Sequence, residues 1–258
     1  MFNIRFLHTI RAFEYKQITA RLRSGVRVLE IGGGTGYQAR QLSEDGFEVE
    51  SIDIHDSNYA DQHVFQVAPY DGKHIPFPDK SFDVIFSSNV LEHVSDLPYL
   101  QVEIKRVLRP DGICIHLMPT PSWRFWTNIA HYVELIQRLC GLAPGLLPRS
   151  FSRQAIRDTF SVLHMMSSTT NQYAIVPRHG ETGNAFSEIV LFSTENWITT
   201  FTRHGFVVNE VTATGLFYTG HMILGPWLSI SARRKLSRLL GSACAIYVVR
   251  PEEMTTGF

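Results

Sequence analysis

Val26-Arg27-Val28-Leu29-Glu30-Ile31-Gly32-Gly33-Gly34-Thr35-Gly36-Tyr37 is the stretch that decides the fold of this chain. Val26, Val28, Leu29 and Ile31 form the aliphatic run of a strand buried on both faces. Glycines at positions 32, 34 and 36 let the backbone turn sharply and approach a ligand closely. Gln38-Ala39-Arg40-Gln41-Leu42 continues as a helix whose first N–H groups point into that turn. A strand, a glycine turn and a helix in this order open a doubly wound sheet, where ligands sit at the carboxyl ends of strands.

Taken alone, the turn leaves several readings open. A dinucleotide fingerprint needs G-x-G-x-x-G, and counting from Gly32 its third glycine falls on Tyr37. That pattern fails. A turn that only packs strand against helix is the plain alternative, and E-x-G-x-G-x-G is the third. The chain downstream discriminates between them. Gly46 stops the helix, Val49 to Ile54 reads as a second strand, and Asp53 falls at its carboxyl end. An acidic side chain there can accept from both hydroxyls of a ribose, although strand-end Asp is also a common turn former.

Two further runs follow. Tyr70-Asp71-Gly72-Lys73-His74-Ile75-Pro76-Phe77-Pro78-Asp79-Lys80-Ser81-Phe82-Asp83-Val84-Ile85 leads into Ser87-Ser88-Asn89-Val90-Leu91-Glu92-His93-Val94. Glu103-Ile104-Lys105-Arg106-Val107-Leu108-Arg109-Pro110-Asp111-Gly112 closes the next helix. With the glycine turn, these runs resemble the ordered motifs of class I S-adenosylmethionine (SAM)-dependent methyltransferases of the small-molecule type. Gly72 stands where that family usually has Ala, and Asp111 where it has Gly; an Asp-Gly turn serves the same geometry.

The resemblance implies an α/β fold with a doubly wound, mostly parallel seven-stranded sheet and helical or irregular lid insertions. It also implies SAM as cofactor and S-adenosylhomocysteine as product. Gly32, Gly34 and Gly36 would cradle the methionine part, with Glu30, Ser88 and Asn89 near its ammonium. Asp53 would take the ribose hydroxyls, with Ile54 beside it, and Asp71 and Gly72 would meet the adenine. Asp53, His55 and Asp56 crowd one stretch, but strand alternation parts them to a degree, and no metal is expected.

A SAM methyl is already activated, so positioning and exclusion of water are the main tasks. A general base is needed only where the acceptor keeps its proton at neutral pH. His93 is the candidate catalytic base, against the plainer role of fixing its loop; His179 and His221 are the fallback bases.

Alternating strands and helices over residues 26–118 predict parallel strands starting near Val26, Val49, Val64, Val84 and Ile113. Thr194 to His204 reads as a helix, Phe206 to Val211 as a sixth strand, and Ser242 to Val249 as an antiparallel last strand. One domain over residues 1–258 is expected, with its core at 26–118 and 193–250. Insertions at 119–192 and 212–241 would form the acceptor lid. The first holds a helical run from Thr127 to Leu139. The second is strongly apolar from Leu216 to Leu228 and suits an acceptor pocket, a lipid or plain core.

Residues 1–25 read as an amphipathic helix with Arg5, Arg11, Lys16, Arg21 and Arg23 against Glu14 alone. Such a helix suits a membrane surface, an anionic substrate, or simple packing on the sheet. Across 258 residues, 24 Lys and Arg balance 24 Asp and Glu, which argues against a stable nucleic-acid partner. Three scattered cysteines and the lack of a signal peptide or spanning segment predict a reduced, cytoplasmic protein.

The expected reaction is methyl transfer to a hydroxyl (or amine) of a small molecule, sugar or lipid-linked biosynthetic intermediate. The glycan side of this rests on a looser resemblance across Arg178-His179-Gly180-Glu181 to Trp197. A nucleic-acid methyltransferase and a non-catalytic SAM- or NAD-binding protein are the alternatives. The oligomeric state is not set by the sequence.

Overall fold

The computed structural model describes residues 4–54, 63–146, 153–221 and 225–252. Its centre is β1 (Arg27–Ile31), flanked by β2 (Glu48–Ile54) and β4 (Phe82–Ser88), both parallel to it. The rest of the sheet is β3 (Ala68–Tyr70), β5 (Leu108–Pro119), β6 (Phe206–Ala213) and β7 (Cys244–Pro251). The described strands form one seven-stranded sheet in the order β3-β2-β1-β4-β5-β7-β6. Only β7 reverses: it runs antiparallel to both neighbours, as expected of the last strand.

Strand alternation splits the core into two layers. Leu29, Ile31, Ile85 and Cys114 face α3 (Leu97–Val107) and α7 (Thr194–Arg203), against Leu100, Ile104, Trp197 and Phe201. Val28, Val84, Phe86 and Ile115 face the other way, toward α1 (Ile4–Thr19) and α2 (Tyr37–Glu44), against Phe6, Ile10, Ile18 and Leu42. Every one of these side chains is buried.

The structure moves one strand and adds helices. The strand expected from Val64 starts at Ala68; residues 63–67 are irregular, and the Val64 amide donates to the Thr35 carbonyl instead (2.8 Å). Phe65 and Val67 are needed there as a cover over Gly36, which leaves them no sheet partner. Arg109 to Gly112 is a bulge within β5: the register jumps from Phe82↔Leu108 to Val84↔Ile113.

The run from residue 119 to 192 is largely helical, as α4 (Pro121–Leu142), α5 (Arg153–Tyr173) and α6 (Ser187–Leu191). Part of the second insertion is core: Leu216, Phe217 and Tyr218 are buried, and Leu216 accepts from the Ala243 amide (2.7 Å). Arg233 of α8 (Ile230–Leu240) holds this stretch by donating to the Phe217 and Leu228 carbonyls at 3.0 and 3.1 Å. The end of the connector after Gly141 and the residues Met222, Ile223 and Leu224, which the sequence placed in the insertions, lie in part or whole outside the described residues. Among the described residues no helix is long and apolar enough to cross a membrane.

Candidate active site

A cavity of about 550 Å³ opens at the carboxyl ends of β1, β2 and β4. This size lies within the ordinary range for a small-molecule site. Gly32, Gly34, Asp53, Ile54, Asp71, Gly72, Ser88, Asn89 and His93, all singled out from the sequence, line it. Glu30 and Gly36 do not.

The glycine turn is shaped by close contacts. Gly32 has φ +75°, and a Cβ added there would lie 2.3 Å from Val90 Cγ2. Only glycine fits both requirements. A Cβ at Gly33 would meet the Ser51 hydroxyl at 2.1 Å and Glu30 Oε2 at 3.1 Å. Glu30 therefore lies beneath the loop, not in the cavity, and accepts from Ser51 Oγ (2.7 Å). Burial, with Asp53 adding to it, pushes its carboxyl up to about 7. Gly36, at φ +74°, caps α2 and packs against Phe65 and Val67.

Asp53 joins β2 to the loop: its carboxylate accepts from the amides of Gly34 and Ile54, both at 2.8 Å. Asp71 likewise accepts from the Lys73 and His74 amides at 2.8 Å, and these bonds hold its pKa below the usual carboxylate range. Ile54 is 48% exposed at this wall, an aliphatic surface beside Gly72. Asn89 takes the left-handed conformation, φ +53°, at the end of β4. Oriented to satisfy its hydrogen bonds, its amide oxygen accepts from both terminal nitrogens of Arg11, at 2.8 and 2.9 Å.

Arg11 shows what sequence reasoning missed: α1 is a wall of the cavity. Leu7, His8 and Arg11 line it, and His8 stacks on Tyr37 with ring centroids 4.3 Å apart. The buried side of α1 carries Phe6, Ile10, Tyr15 and Ile18 together with a carboxylate, Glu14. Glu14 pairs with Arg11 (2.8 Å) and accepts from the Tyr218 hydroxyl (2.8 Å). The odd acid in an apolar stripe was the available signal. Arg21 pairs with Glu210, so two cations of the basic helix are engaged inside the molecule.

At the cavity edge a single 3-10 turn, Leu91–His93, follows β4. Burial holds the His93 imidazole below its ordinary pKa, with Glu92 pulling the other way. His179 comes from the first insertion, edge-on to the His93 ring with centroids 4.6 Å apart. A latch puts it there. Glu188 accepts from the His179 and Gly180 amides (2.7 and 2.8 Å) and pairs with buried Arg124 of α4 (2.7 Å). Glu181 also donates its amide to the Glu92 carbonyl (2.9 Å). His221 does not line the cavity; it bonds Glu134 at 2.6 Å. His55 and Asp56 lie outside the described residues.

A seven-stranded sheet with one reversed strand and a glycine-lined cavity at its carboxyl edge is the architecture of SAM-dependent methyltransferases. A crystal structure of such an enzyme from Mesorhizobium loti superposes with a TM-score of 0.50 at 16% identity, covering 92% of this chain and 97% of that one. Residues 29–116, about a third of the chain, match the family model described as a methyltransferase domain. Among curated proteins, the biotin biosynthesis bifunctional protein BioHC of Cellvibrio japonicus is 34% identical over 158 residues. That alignment covers 57% of this chain and 30% of the relative. Malonyl-[acyl-carrier protein] O-methyltransferase of Serratia marcescens is 35% identical over 95 residues, covering 35% of this chain and 37% of the relative. The aligned stretches thus span about a third of the length of these relatives.

Proposed function

We propose that the chain transfers the methyl group of SAM to an oxygen (or nitrogen) of a small molecule, sugar or lipid-linked intermediate. Bound SAM supplies an activated methyl on a sulfonium. The chain's own residues bind, orient and exclude water. The backbone of the Gly32 to Gly34 turn lines the methionine end, its amides held by the Ile52 carbonyl and Asp53, and the loop leaves no room for a side chain at Gly32. Asp53 accepts from the ribose hydroxyls, and Ile54 offers its exposed face to the adenine. Asp71 and the Gly72 amide meet the adenine edge, with Ser88 and Asn89 by the amino-acid end.

The observation that carries this reading is the convergence of the glycine turn, Asp53 and Asp71 on one cavity of suitable volume. The residue set fits an adenosyl donor: two carboxylates, glycine backbone and one exposed aliphatic face. His93 stands on the same wall, where an acceptor hydroxyl would need help with its proton. The insertions at 119–192 and 212–241 act as the acceptor side of this domain, since the first delivers His179 beside His93. The similarity to the malonyl-[acyl-carrier protein] O-methyltransferase of Serratia favours an oxygen acceptor, a carboxylate included. A carboxylate needs no base, whereas a hydroxyl does.

The test is incubation with methyl-labelled SAM and a panel of hydroxyl, carboxylate and amine acceptors. Label appearing in an acceptor with stoichiometric S-adenosylhomocysteine supports the proposal. SAM binding without turnover on any acceptor favours the non-catalytic reading.

A further inference from the structure

Glu92 stands apart from the other buried carboxylates. Its side chain is 0% exposed, and neither carboxylate oxygen has a hydrogen-bond partner among the described residues. The molecule satisfies comparable groups elsewhere. Glu14 accepts from Arg11 and Tyr218, Glu103 from Arg106 and the Ile75 amide, and Glu188 from two amides. A buried carboxylate without hydrogen bonds is strongly unfavourable, so a fold that keeps one has left a place for a partner.

Two imidazoles face that carboxylate. His93 Nε2 lies 3.9 Å and His179 Nε2 3.8 Å from Glu92 Oε1, and one ligand atom from each residue falls within 4.8 Å of the others. Donor atoms sharing one ion at ~2.1 Å stand roughly 3–3.4 Å apart, so the Glu92 pairs need to close by about half an ångström. The backbone already forces the approach: a Cβ at Gly180 would lie 2.7 Å from the Glu92 carbonyl oxygen. His93 lines the large cavity, while Glu92 and Gly180 line a neighbouring one of about 310 Å³.

We propose that Glu92, His93 and His179 bind a divalent first-row transition cation, with its remaining coordination positions open toward these cavities. Two imidazoles and one carboxylate suit zinc, manganese or iron(II), and disfavour magnesium, which prefers an all-oxygen shell. With the ion present His93 is a ligand and not a base. One consequence rests on the methyl-transfer reading. An acceptor hydroxyl in an open position sheds its proton to solvent more readily. Its oxygen then bonds to the methyl carbon as the carbon–sulfur pair stays on sulfur, giving a methyl ether and S-adenosylhomocysteine.

The full chain, stripped with chelator, is titrated with Co²⁺ and followed by visible d–d absorption and calorimetry. About one Co²⁺ per chain is expected, displaced by Zn²⁺ but not by Mg²⁺. Glu92→Gln and His179→Ala each weaken binding by about 100-fold or more, since even partners behind a ligand cost 10–100-fold. His164→Ala, on the exposed side of α5, leaves binding unchanged. Glu92→Gln removes a buried charge and is expected to keep the metal-free melting temperature or raise it; should it not fold, His179→Ala carries the comparison. No Co²⁺ binding, or binding that both variants retain, overturns the site and leaves the methyl-transfer reading standing. Co²⁺ binding lost in both variants, with methyl transfer indifferent to chelation, upholds the site and overturns the role.

Discussion

Asp53 does two jobs at once in the structure: it ties the glycine loop to β2 through the Gly34 amide, and it faces the cavity. Asp53→Ala is expected to weaken SAM binding by about 1–3 kcal/mol, roughly 5- to 150-fold, the cost of losing charge-assisted bonds. Calorimetry with a folded variant checks this, and unchanged affinity would take Asp53 out of the site. Glu30 acts from below. Its carboxyl is raised from 4.5 to about 7, so the folded state holds the proton more tightly than the unfolded state. The stability contributed by this group is therefore complete below pH 4.5 and is lost as pH rises through 7. Glu30→Gln should remove that slope and leave the variant more stable than the parent at pH 8, by roughly 3 kcal/mol. Denaturant melts at several pH values measure it; parallel pH profiles would contradict it.

Among the elements, α1 changes most between sequence and structure. Its apolar spacing was legible, but the direction it faces was not, because Leu7 and Arg11 point into a cavity built by residues far along the chain. Glu14→Ala would leave Arg11 beside Asn89 without its carboxylate, and Tyr218 without its acceptor. A loss of about 3 kcal/mol is expected for breaking such a buried pair, with a fall in Tm of roughly 6–12 °C. A Tm within 2 °C or so of the parent would show that the pair contributes little. The strands β1, β2 and β4, with the glycine turn and α3, were readable because each strand, turn and helix is local in sequence. The strand expected at Val64 was not, since packing of Phe65 and Val67 against Gly36 is a tertiary demand that overrides their β-propensity. Glu92 and His93 were visible as neighbours, but their meeting with His179 depends on the Arg124–Glu188 latch across the insertion. No sequence spacing encodes that. Glu30 shows the same limit at one residue: the motif marked it, and only packing revealed that Ser51 and Gly33 hold it under the loop.

For the molecule as a whole, a ligand that binds only the folded state must raise its melting temperature. S-adenosylhomocysteine at about 100 times its Kd should stabilise by roughly 2.7 kcal/mol, or about 5–10 °C for a chain of this size. NAD at the same concentration should leave the melt unmoved, as the third glycine of a dinucleotide fingerprint is replaced by Tyr37. The most direct measurement is a calorimetric titration of the purified chain with S-adenosylhomocysteine, run beside Gly34→Val. One site per chain in the parent, and no heat in a variant that still folds, is the predicted outcome. An absence of heat in the parent, or equal binding by Gly34→Val, would contradict the assignment of this cavity to the methyl donor.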